Sequence, residues 1–173
     1  MKNIAAIALM FFLSSCDSLT TVIVDVESET TVQKSSLFNT FTALGFENFV
    51  SFDVSSSQEF ENNNASKNNI GESYLTGFTL EVTDPDGQTL EFISSMKVYI
   101  SDGESDTKIE IARIEDGTNT DVRLLYLDVF ADSEIGKYLR AEKTKITVEA
   151  QGEPPQENTT IEAVATFKIK LKL

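Results

Sequence analysis

Apolar residues recur at every second position over most of the chain. Near the C-terminus Ile161, Ala163, Ala165, Phe167, Ile169, Leu171 and Leu173 share one face, while Glu162, Thr166, Lys168, Lys170 and Lys172 share the other. Only Val164 breaks the alternation. A period of two is the mark of a strand with one buried and one wet face. The pattern returns in Val22, Val24 and Val26; in Tyr74, Thr76, Phe78, Leu80 and Val82; in Leu90 and Phe92; and in Met96, Val98 and Ile100. It continues in Ile109 and Ile111, in Leu125, Leu127 and Val129, and in Ile146, Val148 and Ala150. This predicts about eight strands. Turn signals stand between them, at Asp84-Pro85-Asp86-Gly87, Asp102-Gly103 and Asp116-Gly117, spaced for antiparallel hairpins. Strands that alternate, instead of being apolar throughout, suit an all-β antiparallel sandwich, immunoglobulin-like or jelly-roll-like.

Three stretches depart from the alternation. Residues 36 to 44 read as a short helix, with Ser36 as cap, Leu37, Phe41 and Leu44 on one face and Gly45 as stop. A second helical turn is expected within Asp132 to Leu139, where Ile135 and Leu139 are spaced to share a face. Residues 55 to 73 are polar and Asn-rich and predict a long exposed loop, with at most a turn of helix near Gln58 to Asn62. The segments 74–83, 88–93, 96–101, 108–114 and 122–130 then read as a simple meander.

Composition narrows the chemistry. The 173 residues hold 14 Lys+Arg, 28 Asp+Glu, no His, no Trp and one Cys, for a formal charge of −14. Bare nucleic acid is a poor partner for such a chain, because phosphate contacts need clustered cations. The absence of His removes imidazole-based catalysis and zinc sites that need imidazole; a single Cys forms no intrachain disulfide. No P-loop or dinucleotide fingerprint is present, and the chain is read as a non-enzyme.

The first residues carry one positive charge, Lys2, then the apolar run Ile4 to Leu13, which is too short to span a bilayer comfortably. The run closes on Leu13-Ser14-Ser15-Cys16. This segment resembles the lipobox of bacterial lipoprotein precursors. The resemblance implies cleavage before Cys16, a thioether from its sulfur to a diacylglycerol, and in many bacteria an acyl chain on the new amino terminus. Two or more chains hold firmly where one holds marginally. The expected organisation is a signal peptide over 1–15, a lipid-bearing tether over 16–21 and one sandwich domain over 22–173. Asp17 is similar to an inner-membrane retention signal of some bacteria, although other lineages do not follow that rule, and the outer membrane of the cell envelope is favoured.

Three further groups are candidates for function. In a meander, Asp84 and Asp86 would share an end of the sheet with Asp102, Glu104 and Asp106, offering hard oxygen ligands for calcium; the same residues are also ordinary turn formers. Six of the phenylalanines, Phe38, Phe41, Phe46, Phe49, Phe52 and Phe60, crowd into one stretch, either as core or as the lining of a cavity for an apolar ligand. Lys168, Lys170 and Lys172 lie on one strand face, placed either to touch anionic headgroups near the tether or to guard a sheet edge and complement an acidic neighbour. The stretch from Gly77 to Gly87, continuing through Leu90-Glu91-Phe92-Ile93 to Met96-Lys97-Val98-Tyr99-Ile100, resembles uncharacterised predicted bacterial lipoproteins, which implies a class and no activity. The expected function is a lipid-anchored envelope module that is structural or binds an unidentified envelope protein, with ligand binding as the alternative.

Overall fold

In the computed structural model, residues 20–34, 42–44, 49, 51–103, 107–115 and 117–172 are described. Strands form where the alternation is longest. The C-terminal strand β9 (Thr159–Leu171) buries Ile161, Ala163, Ala165, Phe167, Ile169 and Leu171 completely. It lies between β1 (Thr20–Val32) and β3 (Ile70–Asp84), antiparallel to both. A short β6 (Leu124–Tyr126) completes this four-stranded sheet, sheet I, in the order β1-β9-β3-β6.

Sheet II has the order β2-β8-β4-β5-β7. Its members are β2 (Thr42–Leu44), β4 (Ile93–Ser101), β5 (Lys108–Ile114), the two-residue β7 (Asp128–Val129) and β8 (Lys145–Gly152). Apart from β7, the partners are β1 with β9, β2 with β8, β3 with β6 and β4 with β5, all antiparallel. That nesting of first with last is the winding of a jelly roll. The fold is therefore an all-β antiparallel sandwich, of the jelly-roll kind among the two expected. The inward faces of both sheets supply one core, including Leu80, Val98, Ile100 and Ile111, each fully buried.

Because β3 and β4 belong to different sheets, the expected meander does not exist. Alternation tells which face of a strand is buried but not which sheet holds it. Residues 88–92 are not a strand either, and Ile93 opens β4. The chain must cross from sheet I to sheet II there, and it does so in a turn in which the Ile93 amide donates to the Leu90 carbonyl, with Leu90 and Phe92 tucked into the core. In β3 the register shifts between Leu75 and Gly77, so Ser73, Leu75 and Phe78 point inward while Tyr74 and Thr76 face outward, the reverse of the uninterrupted alternation.

The helix expected over 36–44 is corrected at its C-terminal part: residues 42–44 are β2, paired with Val148 to Ala150 of β8, and the rest lies outside the described residues. The edge of β8 offers backbone partners that outweigh a weak helical spacing. The other two expectations fare better. Helix α1 (Gln58–Asn62) forms in the polar stretch, and α2 (Gly136–Leu139) forms within 132–139 with Ile135 and Leu139 fully buried. The polar stretch is nonetheless not all exposed loop, since Phe60 is fully buried and Ile70 to Ser73 already belong to β3.

Candidate functional site

The sandwich has two ends. The proximal end is where β1 begins, opposite Leu171 of β9 and Ile70 of β3. The distal end is where β1 finishes, opposite Thr159. Every candidate residue can be placed on this axis or lies outside the described residues.

Cys16 is among the latter, as are Glu104 and Asp106. Asp84 pairs with Thr160 at the distal end, with Asp86 in the turn beyond it. Asp102 follows the last residue of β4, Ser101, which pairs with Lys145 and Lys108 at the proximal end. There it lines a small cleft with Lys137 and Tyr138 of α2, the helix packed on the start of β3. The nine residues of β4, roughly 30 Å at about 3.3 Å per residue, thus separate Asp84 and Asp86 from Asp102. The expected convergence of these carboxylates does not occur, because it depended on the meander. Among the described residues no group of three or more Asp, Glu, His or Cys is placed to hold a metal ion.

The phenylalanines divide similarly. Phe38, Phe41 and Phe46 lie outside the described residues. Phe49 and Phe60 are fully buried, Phe49 packing on Phe78 at 5.9 Å between ring centres, and Phe52 stacks on Phe167 at 5.9 Å. Of these three, Phe52 borders a shallow cleft between β1 and residues 51–57. The described members of the cluster fill core instead of enclosing a ligand cavity.

Lys168 and Lys170 project from β9, an interior strand, so the edge-guarding role does not apply to them. The acidic complement does: Lys170 pairs with Glu72 across the sheet. The hydrogen bond and attraction from Lys170 hold the Glu72 carboxyl below its ordinary range, and Glu72 in turn raises Lys170.

The proximal end is closed by side chains bonded to backbone. The Lys67 ammonium donates to the carbonyls of Ala141 at 2.9 Å and Glu142 at 3.3 Å and pairs with Asp53 at 2.9 Å. Arg140 donates to the carbonyls of Ile70 and Gly71, and Glu134 accepts from the amides of Ser73 and Gly136. Burial raises the Asp53 pKa, but the Ser55 hydroxyl, Lys67 and the Ser55 amide together bring it below its ordinary value.

At the distal end an open groove of about 590 Å³ runs between the 88–94 turn and residues 151–156. Phe92, Glu91, Gln88, Pro154 and Pro155 line it. The sequence reading missed it; Gly152 followed by Pro154-Pro155 was the available signal of a chain leaving a strand abruptly. The lining is otherwise polar and acidic, with Ser94, Gln151 and Glu153 contributing to it.

Against known proteins, no family model matches the chain, and no curated protein matches it. Similar solved structures include the acid-stable capsid of Helicobacter pylori bacteriophage KHP30, with a TM-score of 0.39 and 10% identity over 87% of this chain and 93% of that one. Turnip yellow mosaic virus gives a TM-score of 0.30 and 14% identity, over 90% and 96% of the two chains. Desmodium yellow mottle tymovirus gives 0.27 and 9%, over 100% and 97%. Likeness at this level says nothing of what this chain does. No helix of the described residues is long and apolar enough to cross a membrane.

Proposed function

We propose that this chain is a lipid-anchored, non-catalytic β-sandwich of the bacterial cell envelope, a structural or protein-interaction module held through Cys16, with the outer membrane as the favoured site. The observation that carries the reading is Leu13-Ser14-Ser15-Cys16 closing a short apolar run, with the first strand beginning four positions later at Thr20. Four extended residues reach at most about 14 Å. A domain tethered so closely sits at the headgroup layer. The partner of such a module is an envelope protein, and no ligand or cofactor is assigned to it.

Mass spectrometry of the protein from its native host tests the anchor. The expected species begins at Cys16 and carries a diacylglycerol on sulfur, and replacing Cys16 by Ser removes that modification. An intact Met1 terminus with a free thiol overturns the reading. Crosslinking of the anchored protein in its own envelope identifies the partner.

A further inference from the structure

We infer that the outer face of sheet I, at its proximal end, docks on a layer of anionic phospholipid headgroups. The inference rests on the anchored reading for its direction, since the tether enters at that end, but its evidence is the distribution of charge over the sheet.

Along β9 the outward residues run Lys172, Lys170, Lys168, Thr166, Val164, Glu162 from the proximal to the distal end. The neighbouring strands add no cation to this face and are acidic toward its distal end. On β1 the outward series runs Thr21, Ile23, Asp25, Glu27 and Glu29, its first acid standing opposite Thr166 one row past Lys168, and on β3 it runs from Glu72 and Tyr74 to Glu81. Lys168, Lys170 and Lys172 therefore make the first three rows the cationic end of the face, and carboxylates hold the last. Glu72 is the one acid among the described residues in the proximal rows of this face, and it already holds Lys170.

An apolar group lies within the cationic rows. Ile23 sits directly across from Lys168 and is 48% exposed, with half-buried Tyr74 on Lys168's other side. An exposed aliphatic residue flanked by lysines suits a headgroup layer, where ammonium groups meet phosphate and the apolar group enters the boundary beneath. The tether entering at the lysine end selects this occupant over a second copy of the chain turned end for end, which would set these lysines against the distal carboxylates; a dimer in solution that the lysine variant abolishes would assign the face to that contact and overturn the inference. The carboxylates of the distal rows are repelled by the same surface and limit how far the sandwich lies down, so the domain stands tilted on its lysine rows.

The test uses the chain from Asp17 onward, without lipid. It retains every described strand, and its buried apolar set runs from Val22 to Leu171. Partition is measured by co-sedimentation at low salt with vesicles of phosphatidylcholine alone or with a third phosphatidylglycerol. Binding is expected only to the anionic vesicles and is lost at 0.5 M salt, an estimate that follows from a screening length of about 4 Å there. Replacing Lys168, Lys170 and Lys172 with Gln lowers partition on the order of 100-fold, and Glu72→Gln raises it about fivefold. Equal partition into both vesicles, or no change in the lysine variant while circular dichroism shows it folded, overturns the inference. Because Cys16 is absent from this assay, failure here leaves the anchor standing, and failure of the mass measurement leaves this result standing.

Discussion

At each end of the sandwich one glycine lets two backbones cross. Proximally, Gly136 of α2 lies against the carbonyl of Gly71, where β3 begins; distally, Gly152 of β8 lies against the carbonyl of Phe92, where the chain enters β4. A Cβ on either would fall within contact distance of that carbonyl. The surroundings differ. The proximal crossing is enclosed by Arg140 and Glu134, whereas the distal one forms the floor of an open groove beside Pro154 and Pro155. The strands and core are common to both ends, so what distinguishes them is chemistry at the ends: lysine rows and an enclosed crossing at the proximal end, carboxylate rows and an open groove at the distal one.

The crossings give the largest expected effects. Gly152→Ala separates β8 from Phe92 and breaks the bond from the Glu153 amide to the Phe92 carbonyl. A loss of about 3 kcal/mol is expected, the upper range for overpacking, because the obstacle is backbone. Gly136→Ala costs less, about 2 kcal/mol, since α2 is a single short turn able to lift and the side chains of Glu134 and Arg140 are long enough to move. Urea denaturation of both variants measures the difference. Equal losses would show the two ends to be equally rigid.

Arginines supply the next comparison. Distally, Arg123 donates to the carbonyls of Val82 at 2.7 Å and Pro85 at 3.1 Å; proximally, Arg140 donates to those of Ile70 at 3.1 Å and Gly71 at 3.3 Å. Arg123→Met is expected to cost about 2 kcal/mol and Arg140→Met about 1 kcal/mol, the shorter bonds being the stronger of these charge-assisted contacts. The ion pair of Arg123 with fully exposed Asp86 at 3.8 Å adds little. If thermal melts rank the two variants the other way, the distal end is not the one held by its arginine.

These contacts also mark how far the sequence could be read. The buried face of β9 was legible from Ile161 to Leu171 because its alternation is nearly unbroken and the strand lies between two others, so all of one face had to be apolar. Residues 42–44 and 88–92 were misread because segments this short take their form from tertiary partners, the edge of β8 in one case and the crossing to sheet II in the other. Tyr74 and Thr76 were assigned to the wrong face because a bulge reverses alternation without altering composition. The carboxylate site failed for a topological reason, since a period of two is the same in either sheet. The lysine rows were visible in the sequence, whereas the pairing of Lys170 with Glu72, remote in sequence, needed the register of β3 on β9.

The smallest effect distinguishes the ends by pH. Asp53, Ser55 and Lys67 fasten the proximal loops, and the Asp53 carboxyl titrates below its unfolded value near 3.8. A group whose folded pKa is depressed stabilises fully above the unfolded value and loses that contribution as pH falls through the folded one. Asp53→Asn is therefore expected to be less stable than the parent at pH 7, by well under 1 kcal/mol because the side chain is 42% exposed and screened by solvent. The gap closes as pH falls below the ordinary carboxylate range, and added salt narrows it at pH 7 by screening the attraction to Lys67. Removing Lys67's charge with Met should show the same convergence toward low pH with a remainder that persists there, because its bonds to the Ala141 and Glu142 carbonyls do not depend on Asp53. Were the Asp53→Asn gap to widen on acidification, Asp53 would be a carboxyl held protonated by burial, and the proximal clamp would rest on Lys67 and the backbone alone.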